Sequence, residues 1–333
     1  MKIDIISGFL GAGKTTLIQR LLKGRIASEK VVLIENEFGE ISVDTDFLKD
    51  TKVEIQELSQ GCICCSLVGD FSKALKEIVD RFHPDRIIIE PSGVGKLSDV
   101  TKAVVSSGFA RELNSLVCLI DVTKAKMYAK NFGEFFLDQI QSAHTIVLSR
   151  TDLASSSKIS EAVDVVRQNN PKANLVTTPI QTLSDEELLK AYEGIEDDFL
   201  NDLLHDIHHE EECCCGHPHE HHHEEECHPH GHHPHPHEHH PHHHADEVFH
   251  SIGIETARKY DMEALRKVLE EMAFGQYGTV LRAKGIIQGA DEKWYQFNLT
   301  PEEVHIVPGT SIPMGKICVI GSSLDEIKIK ELF

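Results

Sequence analysis

Gly8-Phe9-Leu10-Gly11-Ala12-Gly13-Lys14-Thr15-Thr16 is the stretch from which the rest of the chain is read. It fits G-x-x-x-x-G-K-[ST], a loop whose backbone N–H groups turn inward on the phosphates of a nucleotide. Its flanks suit that reading: residues 2–7 read as a short buried strand, and residues 16–22 open a helix. Gly8, Gly11 and Gly13 free the backbone to curl, with Ala12 as a small filler, and Lys14 brings a point charge to the β- and γ-phosphates. Thr15 offers a hydroxyl suited to Mg²⁺, and Thr16 starts the helix whose N-terminus faces the anion.

Downstream, β-branched and apolar runs at 31–34, 53–58, 86–90, 116–121, 145–148 and 175–179 alternate with helical spacing, clearest at Leu67, Phe71, Leu75, Ile78, Val79 and Phe82. Strands and helices alternating in this way predict right-handed βαβ units. The fold class is α/β, a phosphate-loop NTPase with a mostly parallel sheet whose ligands sit at the carboxyl ends of its strands. A terminal helix is expected over 183–192. A second, smaller α+β domain follows, with a strand at 249–254, a helix at 261–274, strands at 280–287, 294–299, 304–307 and 317–320, and a closing helix at 324–332. No catalytic constellation stands out in it. Domains are drawn at 1–195, 196–246 and 247–333.

The formal charge of −21 is concentrated in one place. Residues 191–257 hold 17 Asp and Glu and no Lys or Arg; without them the chain has 37 acids against 33 bases, a net of −4. The same region carries 19 of the 23 histidines, at 205–244, interleaved with Glu, Pro, Cys213, Cys214, Cys215 and Cys227. So few apolar residues remain there that disorder without metal is expected, as a metal-capturing arm with many loose, pH-dependent sites. No basic stripe points to nucleic acid. No apolar run approaches the ~18 residues that span a bilayer. With no basic leader at the N-terminus the expected address is the cytoplasm, where nine cysteines read as thiols or metal ligands.

Three further motifs carry chemistry. Glu90 ends a buried strand, where a phosphate-loop protein places the acid that holds Mg²⁺ through water, and Gly93 leaves room for its N–H to approach the γ-phosphate. The competing role is an ordinary acidic strand end. Ser149-Arg150-Thr151-Asp152 resembles the guanine-reading N-K-x-D sequence. Asp152 is suited to accept from guanine N1–H and its exocyclic amine, while Ser149 is shorter than Asn and loses a contact; plain helix capping is the alternative. Cys62-Ile63-Cys64-Cys65 places three thiols within four residues, enough for three corners of a tetrahedral Zn²⁺ site. Glu35, Glu37, Glu40 or water can supply the fourth. Cys118 and Cys318 lie inside apolar strands and read as packing residues, and His83, His144, His250 and His305 as isolated.

The Gly8–Thr16 loop, the 35–40 stretch, the 61–65 cluster and 90–93, in this order, resemble CobW-type phosphate-loop GTPases, metallochaperone-like relatives of urease and hydrogenase maturation GTPases. The small C-terminal domain after a His-rich linker is similar too. The resemblance implies slow, metal-regulated GTP hydrolysis with Mg²⁺, coupled to delivery of Zn²⁺, or in some members cobalt or iron, to a client metalloprotein; a second copy in a homodimer is a further candidate partner. It implies Cys62, Cys64 and Cys65 as metal ligands, Lys14 and Thr15 on phosphate and Mg²⁺, and Asp152 on guanine. Ser149-Arg150 departs from the family pattern. The rival readings are a passive metal store whose nucleotide site is structural, and a small-molecule kinase.

Overall fold

A computed structural model describes residues 1–35, 53–57, 68–195, 199, 201, 245–301 and 303–333. Its first sheet has seven parallel strands: β1 (Lys2–Gly8), β2 (Val31–Glu35), β3 (Glu54–Glu57), β4 (Arg86–Glu90), β5 (Leu113–Asp121), β6 (Thr145–Ser149) and β7 (Asn174–Val176). They are ordered β3-β2-β4-β1-β5-β6-β7. β1, β2, β4 and β5 are buried along almost their whole length because both faces are covered, the signature of a parallel sheet. β1 lies between β4 and β5, and the chain leaves it for β2 on one side and later crosses to β5 on the other. The crevice at its carboxyl end is therefore where a ligand fits. That end is Gly8, the first residue of the phosphate loop.

The helices follow from local signals. α1 (Lys14–Lys23) buries Leu17, Ile18, Leu21 and Leu22, the spacing of one helical face. α2 (Val68–Phe82) turns Phe71, Leu75 and Ile78 inward. α3 (Leu97–Ser106) follows β4. The single helical stretch expected between β5 and β6 is two helices, α4 (Ala125–Asn131) and α5 (Gly133–Gln141). α6 (Ser156–Asn169) precedes β7. That last strand is shorter than expected, ending at Val176 rather than 179. α7 (Asp185–Tyr192) begins at a capping box in which Glu187 N donates to Ser184 Oγ at 3.2 Å and Ser184 N donates to Glu187 Oε2 at 2.9 Å.

The amino ends of β1 and β4 are joined by a buried polar cluster. Arg86, 1% exposed, bonds Asp4, Glu29, Glu193 and Tyr192, its Nε donating to Glu29 Oε2 at 2.6 Å. Asp4 also accepts from Asn114 Nδ2 at 2.7 Å and Ser115 Oγ at 2.8 Å. Burial acts to lower the Arg86 pKa, but the hydrogen bond to Glu29 and the charge of Asp4 hold it well above its ordinary value. The cluster closes the bottom of the sheet and anchors the end of α7.

The second sheet comprises β8 (His250–Thr256), β9 (Lys259–Tyr260), β10 (Thr279–Gly289), β11 (Trp294–Thr300), β12 (Glu303–Pro308) and β13 (Gly315–Ser322). It runs β12-β11-β10-β13-β8 with antiparallel neighbours, and β9 pairs parallel with β10. The helix Met262–Ala273, capped by Asp261, buries Leu265, Leu269 and Met272 against it. Phe249 departs from its expected place in a strand. It precedes β8 and packs on Phe132, Phe135 and Phe9, at 5.6, 5.0 and 6.3 Å between ring centroids. Met1–Ile195 and His244–Phe333 thereby form one compact unit. Among the described residues, no helix is long and apolar enough to cross a membrane.

Replacing Arg86 with Met leaves Asp4 buried beside an apolar side chain. A loss of about 3–5 kcal/mol in urea unfolding is expected, the range for breaking a buried ion pair from one side. A loss below ~1 kcal/mol makes the cluster incidental to stability.

Candidate nucleotide site

The phosphate loop curls as its glycines allow. Gly13 has φ +98° and begins α1, while Gly11 has φ +75° and lies so close to Thr300 that a Cβ there would come within 2.9 Å of Thr300 Cγ2. Lys14 is buried, and its Nζ donates to Gly8 O at 2.9 Å, which keeps the ammonium inside the curl of the loop. Thr15 Oγ1 donates to Glu90 Oε1 at 3.2 Å. A hydroxyl and a carboxylate facing each other beside a phosphate loop are the hard oxygen donors Mg²⁺ takes, so these residues fit that ion. Glu35 is buried and in register with Glu90 on the neighbouring strand. Gly93 lies against the loop from the other side, where a Cβ would meet Leu10 Cδ2 at 2.7 Å and Leu10 N at 3.1 Å. Cys118 lies fully buried in β5, its thiol pushed up to about 12 by burial, and Cys318 is buried in β13.

A cavity of about 370 Å³ opens over this loop. Gly11, Ala12, Gly13, Lys14, Thr15 and Thr16 line it together with Glu90, as do Ser149, Arg150 and Asp152. Asp152 is exposed at its rim. Helix α6 is capped by Ser155, whose Oγ accepts from Lys158 N, so Asp152 is not its cap. Ser149 Oγ donates to Ile120 O at 3.3 Å, which uses the hydroxyl on the neighbouring strand. Pro179, Ile180 and Gln181 also line the cavity.

The remaining wall comes from the second sheet and was not legible in the sequence. Arg282 and Asn298 line the cavity, and Arg282 Nε donates to Asn298 Oδ1 at 3.3 Å. Beside them a set of charges joins the two sheets. Lys124 Nζ donates to Thr300 Oγ1 at 2.8 Å and lies 3.6 Å from Glu303 Oε2 and 3.9 Å from Asp121 Oδ2. Arg150, at φ +59°, pairs with Glu303 and places its Nε 3.3 Å from Asp121 Oδ2. Burial lowers the Lys124 pKa against the pull of both carboxylates. Burial acts to raise that of Glu303, but the bond from Arg150 and the charge of Lys124 hold it below its ordinary value. The signal available in sequence was parity: Arg282 and Lys284, like Asn298 and Thr300, alternate with core residues on paired strands. A polar stripe of that kind reads as solvent-facing, yet Lys284 and Thr300 are buried.

Residues 2–177, more than half of the chain, match the profile of the CobW/HypB/UreG nucleotide-binding domain. The chain belongs to the CobW/HypB/UreG family. Residues 249–333 match the cobalamin synthesis protein cobW C-terminal domain. This CobW-family chain is 32% identical over 239 residues to the zinc chaperone CobW of a Sinorhizobium species, covering 62% of this chain and 66% of that one. It is 32% identical over 164 residues to the zinc chaperone YjiA of Escherichia coli, covering 47% and 51%. It is also 32% identical over 196 residues to zinc-regulated GTPase metalloprotein activator 1 of Schizosaccharomyces pombe, covering 54% and 45%. The chain thus spans under two thirds of the length of these curated relatives.

Among the described residues of this CobW-family chain there is no cluster of three His, Cys, Asp or Glu side chains able to hold a metal. Glu37, Glu40, Cys62, Cys64, Cys65 and the His-rich tract, on which the metal reading falls, lie outside the described residues.

Two outcomes are expected of this site. Asp152→Ala removes the acceptor for a guanine donor pair and is expected to weaken GTP by about 10²-fold or more while leaving ATP unchanged; equal losses for both nucleotides remove Asp152 from base reading. For Glu303, a folded pKa below the unfolded one means stability that is complete above the ordinary carboxylate range. That stability is lost as pH falls through the folded value. Thermal unfolding followed from about pH 6 to pH 3 is therefore expected to fall more steeply for wild type than for E303Q; parallel profiles show that Glu303 is not linked to folding.

Proposed function

We propose that the chain is a GTP-hydrolysing metallochaperone, with Zn²⁺ as its cargo and Cys62, Cys64 and Cys65 as the cargo's ligands, that passes the ion to a client metalloprotein. The observation that carries this reading is the placement of Glu35, Glu57 and Glu90. They are register neighbours at the carboxyl edge of β2, β3 and β4, beside the Thr15–Glu90 pair. Cys62 follows Glu57 by five residues, and Val68 follows Cys65 by three. At about 3.3–3.6 Å per residue, the five residues from Glu57 keep Cys62 within roughly 18 Å of that edge. The names of the curated relatives, two zinc chaperones and a zinc-regulated GTPase activator, support the metal and the nucleotide.

In this reading the loop amides and Lys14 bind the β- and γ-phosphates, Thr15 and Glu90 hold Mg²⁺, Gly93 approaches the γ-phosphate and Asp152 selects guanine. Mg²⁺ supplies charge neutralisation on the phosphates when bound. Metal on the cysteines and the γ-phosphate then lie at one sheet edge, so that each affects the other's affinity. A coupling of about 1–3 kcal/mol changes Zn²⁺ affinity roughly 5- to 150-fold between the GTP and GDP forms, and Zn²⁺ changes GTP affinity by the same factor.

The test is a Zn²⁺ titration of the full chain in its GTP and GDP forms, repeated after deletion of residues 205–244 and with Cys64 and Cys65 changed to Ser. One tight, nucleotide-sensitive site is expected to survive the deletion and vanish with the cysteines. Loss of all Zn²⁺ binding on the deletion alone, or equal affinities in the two nucleotide forms, favours a passive store and ends the proposal.

A further inference from the structure

The turn Ser149-Arg150-Thr151-Asp152 is held from the second sheet. We propose that Glu303 is a positioning residue for guanine recognition, fixing through Arg150 the turn that carries Asp152. This rests on the reading of Asp152 as the acceptor for the guanine donors. Arg150 stands at φ +59°, a conformation that a residue with a Cβ keeps only where its surroundings hold it. Ser149 O accepts from Val122 N at 3.3 Å at the entry to the turn, and Leu153 N donates to Arg150 O at 3.1 Å and closes it. Between those points the other side chains give little support. Thr151 Oγ1 is buried without a hydrogen-bond partner among the described residues, Asp152 is exposed, and Leu153 is 75% exposed. The side chain that ties the turn down is Arg150.

Two carboxylates meet its guanidinium, and they act differently. Asp121 Oδ2 lies 3.3 Å from Arg150 Nε but accepts no hydrogen bond among the described residues, so its hold is by charge. Arg150 Nη1 donates to Glu303 Oε1, and a charge-assisted hydrogen bond fixes direction as well as proximity. Glu303 is held in turn at its other oxygen. Its Oε2 accepts from Thr300 Oγ1 at 3.4 Å and lies 3.6 Å from Lys124 Nζ, which itself donates to Thr300 Oγ1 at 2.8 Å. One carboxylate therefore joins β12, the end of β11 and the residue before α4 to the turn that presents Asp152. The guanidinium fork faces both acids at once, Nε toward Asp121 and Nη1 toward Glu303. A Lys, which the N-K-x-D sequence has at this place, would present a single point charge instead.

The experiment measures affinities of the full chain, with Mg²⁺, for GDP, for IDP, which lacks the exocyclic amine of guanine, and for ADP. Wild type is compared with D152A, E303A, E303Q and D152A/E303A, and thermal unfolding without nucleotide checks each fold. D152A is expected to remove the preference for GDP over IDP. E303A is expected to weaken GDP about 10-fold, the size of a bond to a charged group put out of geometry, IDP less and ADP not at all. E303Q keeps an acceptor for Arg150 Nη1 and falls between wild type and E303A. The double variant binds GDP no more weakly than D152A, because two residues acting on one contact do not add. Should E303A fail to fold, E303Q alone decides by the same ratio of GDP loss to IDP loss. Unchanged GDP affinity in E303A, equal losses for all three nucleotides, or a further loss in the double variant overturns the role of Glu303. A D152A chain that still prefers GDP to IDP overturns the reading of Asp152 and the proposal with it.

Discussion

Two carboxylates and two cations, Asp121, Glu303, Lys124 and Arg150, tie the first sheet to the second beside the cavity that Arg150 lines. Asp121 ends β5 and is fixed from below by Thr123, whose N and Oγ1 donate to its Oδ1 at 2.9 and 2.6 Å. Glu303 belongs to the second sheet. Between them the charges balance, so burial is tolerated; removing any one member would leave a partner with uncompensated charge in a poorly solvated place. Because Arg150 stands in the left-handed region, the turn that presents Asp152 is strained and relies on this pairing to stay put. The position of the Asp152 carboxylate is thus linked to Glu303, more than 150 positions later in the chain.

A second coupling runs beneath the loop. Phe9 packs 4.5 Å from Tyr128 and 5.7 Å from Phe132, measured between centroids, and Phe249 closes the cluster. The loop backbone, which must stay open to an anion, is braced by aromatic rings on its far side. Rigid apolar packing under a polar cradle gives preorganised donors without stiff backbone in the cradle itself.

How much of this was readable depended on how local the information was. The phosphate loop, Glu90 and the parallel sheet were legible because each is written in contiguous residues: glycines at fixed spacing, or a run such as Arg86-Ile-Ile-Ile-Glu90 that only a strand covered on both faces can accommodate. Asp152 was legible as a strand-end acid, but what holds its turn was not. Arg282, Asn298, Thr300 and Glu303 were missed because a strand's alternation says which residues share a face and is silent on what covers that face. Phe249 was misassigned for a related reason. An aromatic residue just before a strand has the composition of that strand, and only tertiary contact sends it to another core.

That placement has a consequence for the segment 196–243. Just before it, Gly194 N and Ile195 N donate to Asn114 O at 3.0 and 3.1 Å; just after it, Ala245 is buried and Phe249 is fixed in the aromatic cluster. The described residues on either side of the segment are therefore both held on the body that carries the cavity. Groups joined through one chain meet at an effective concentration set by the length of chain between them rather than by their amount in solution.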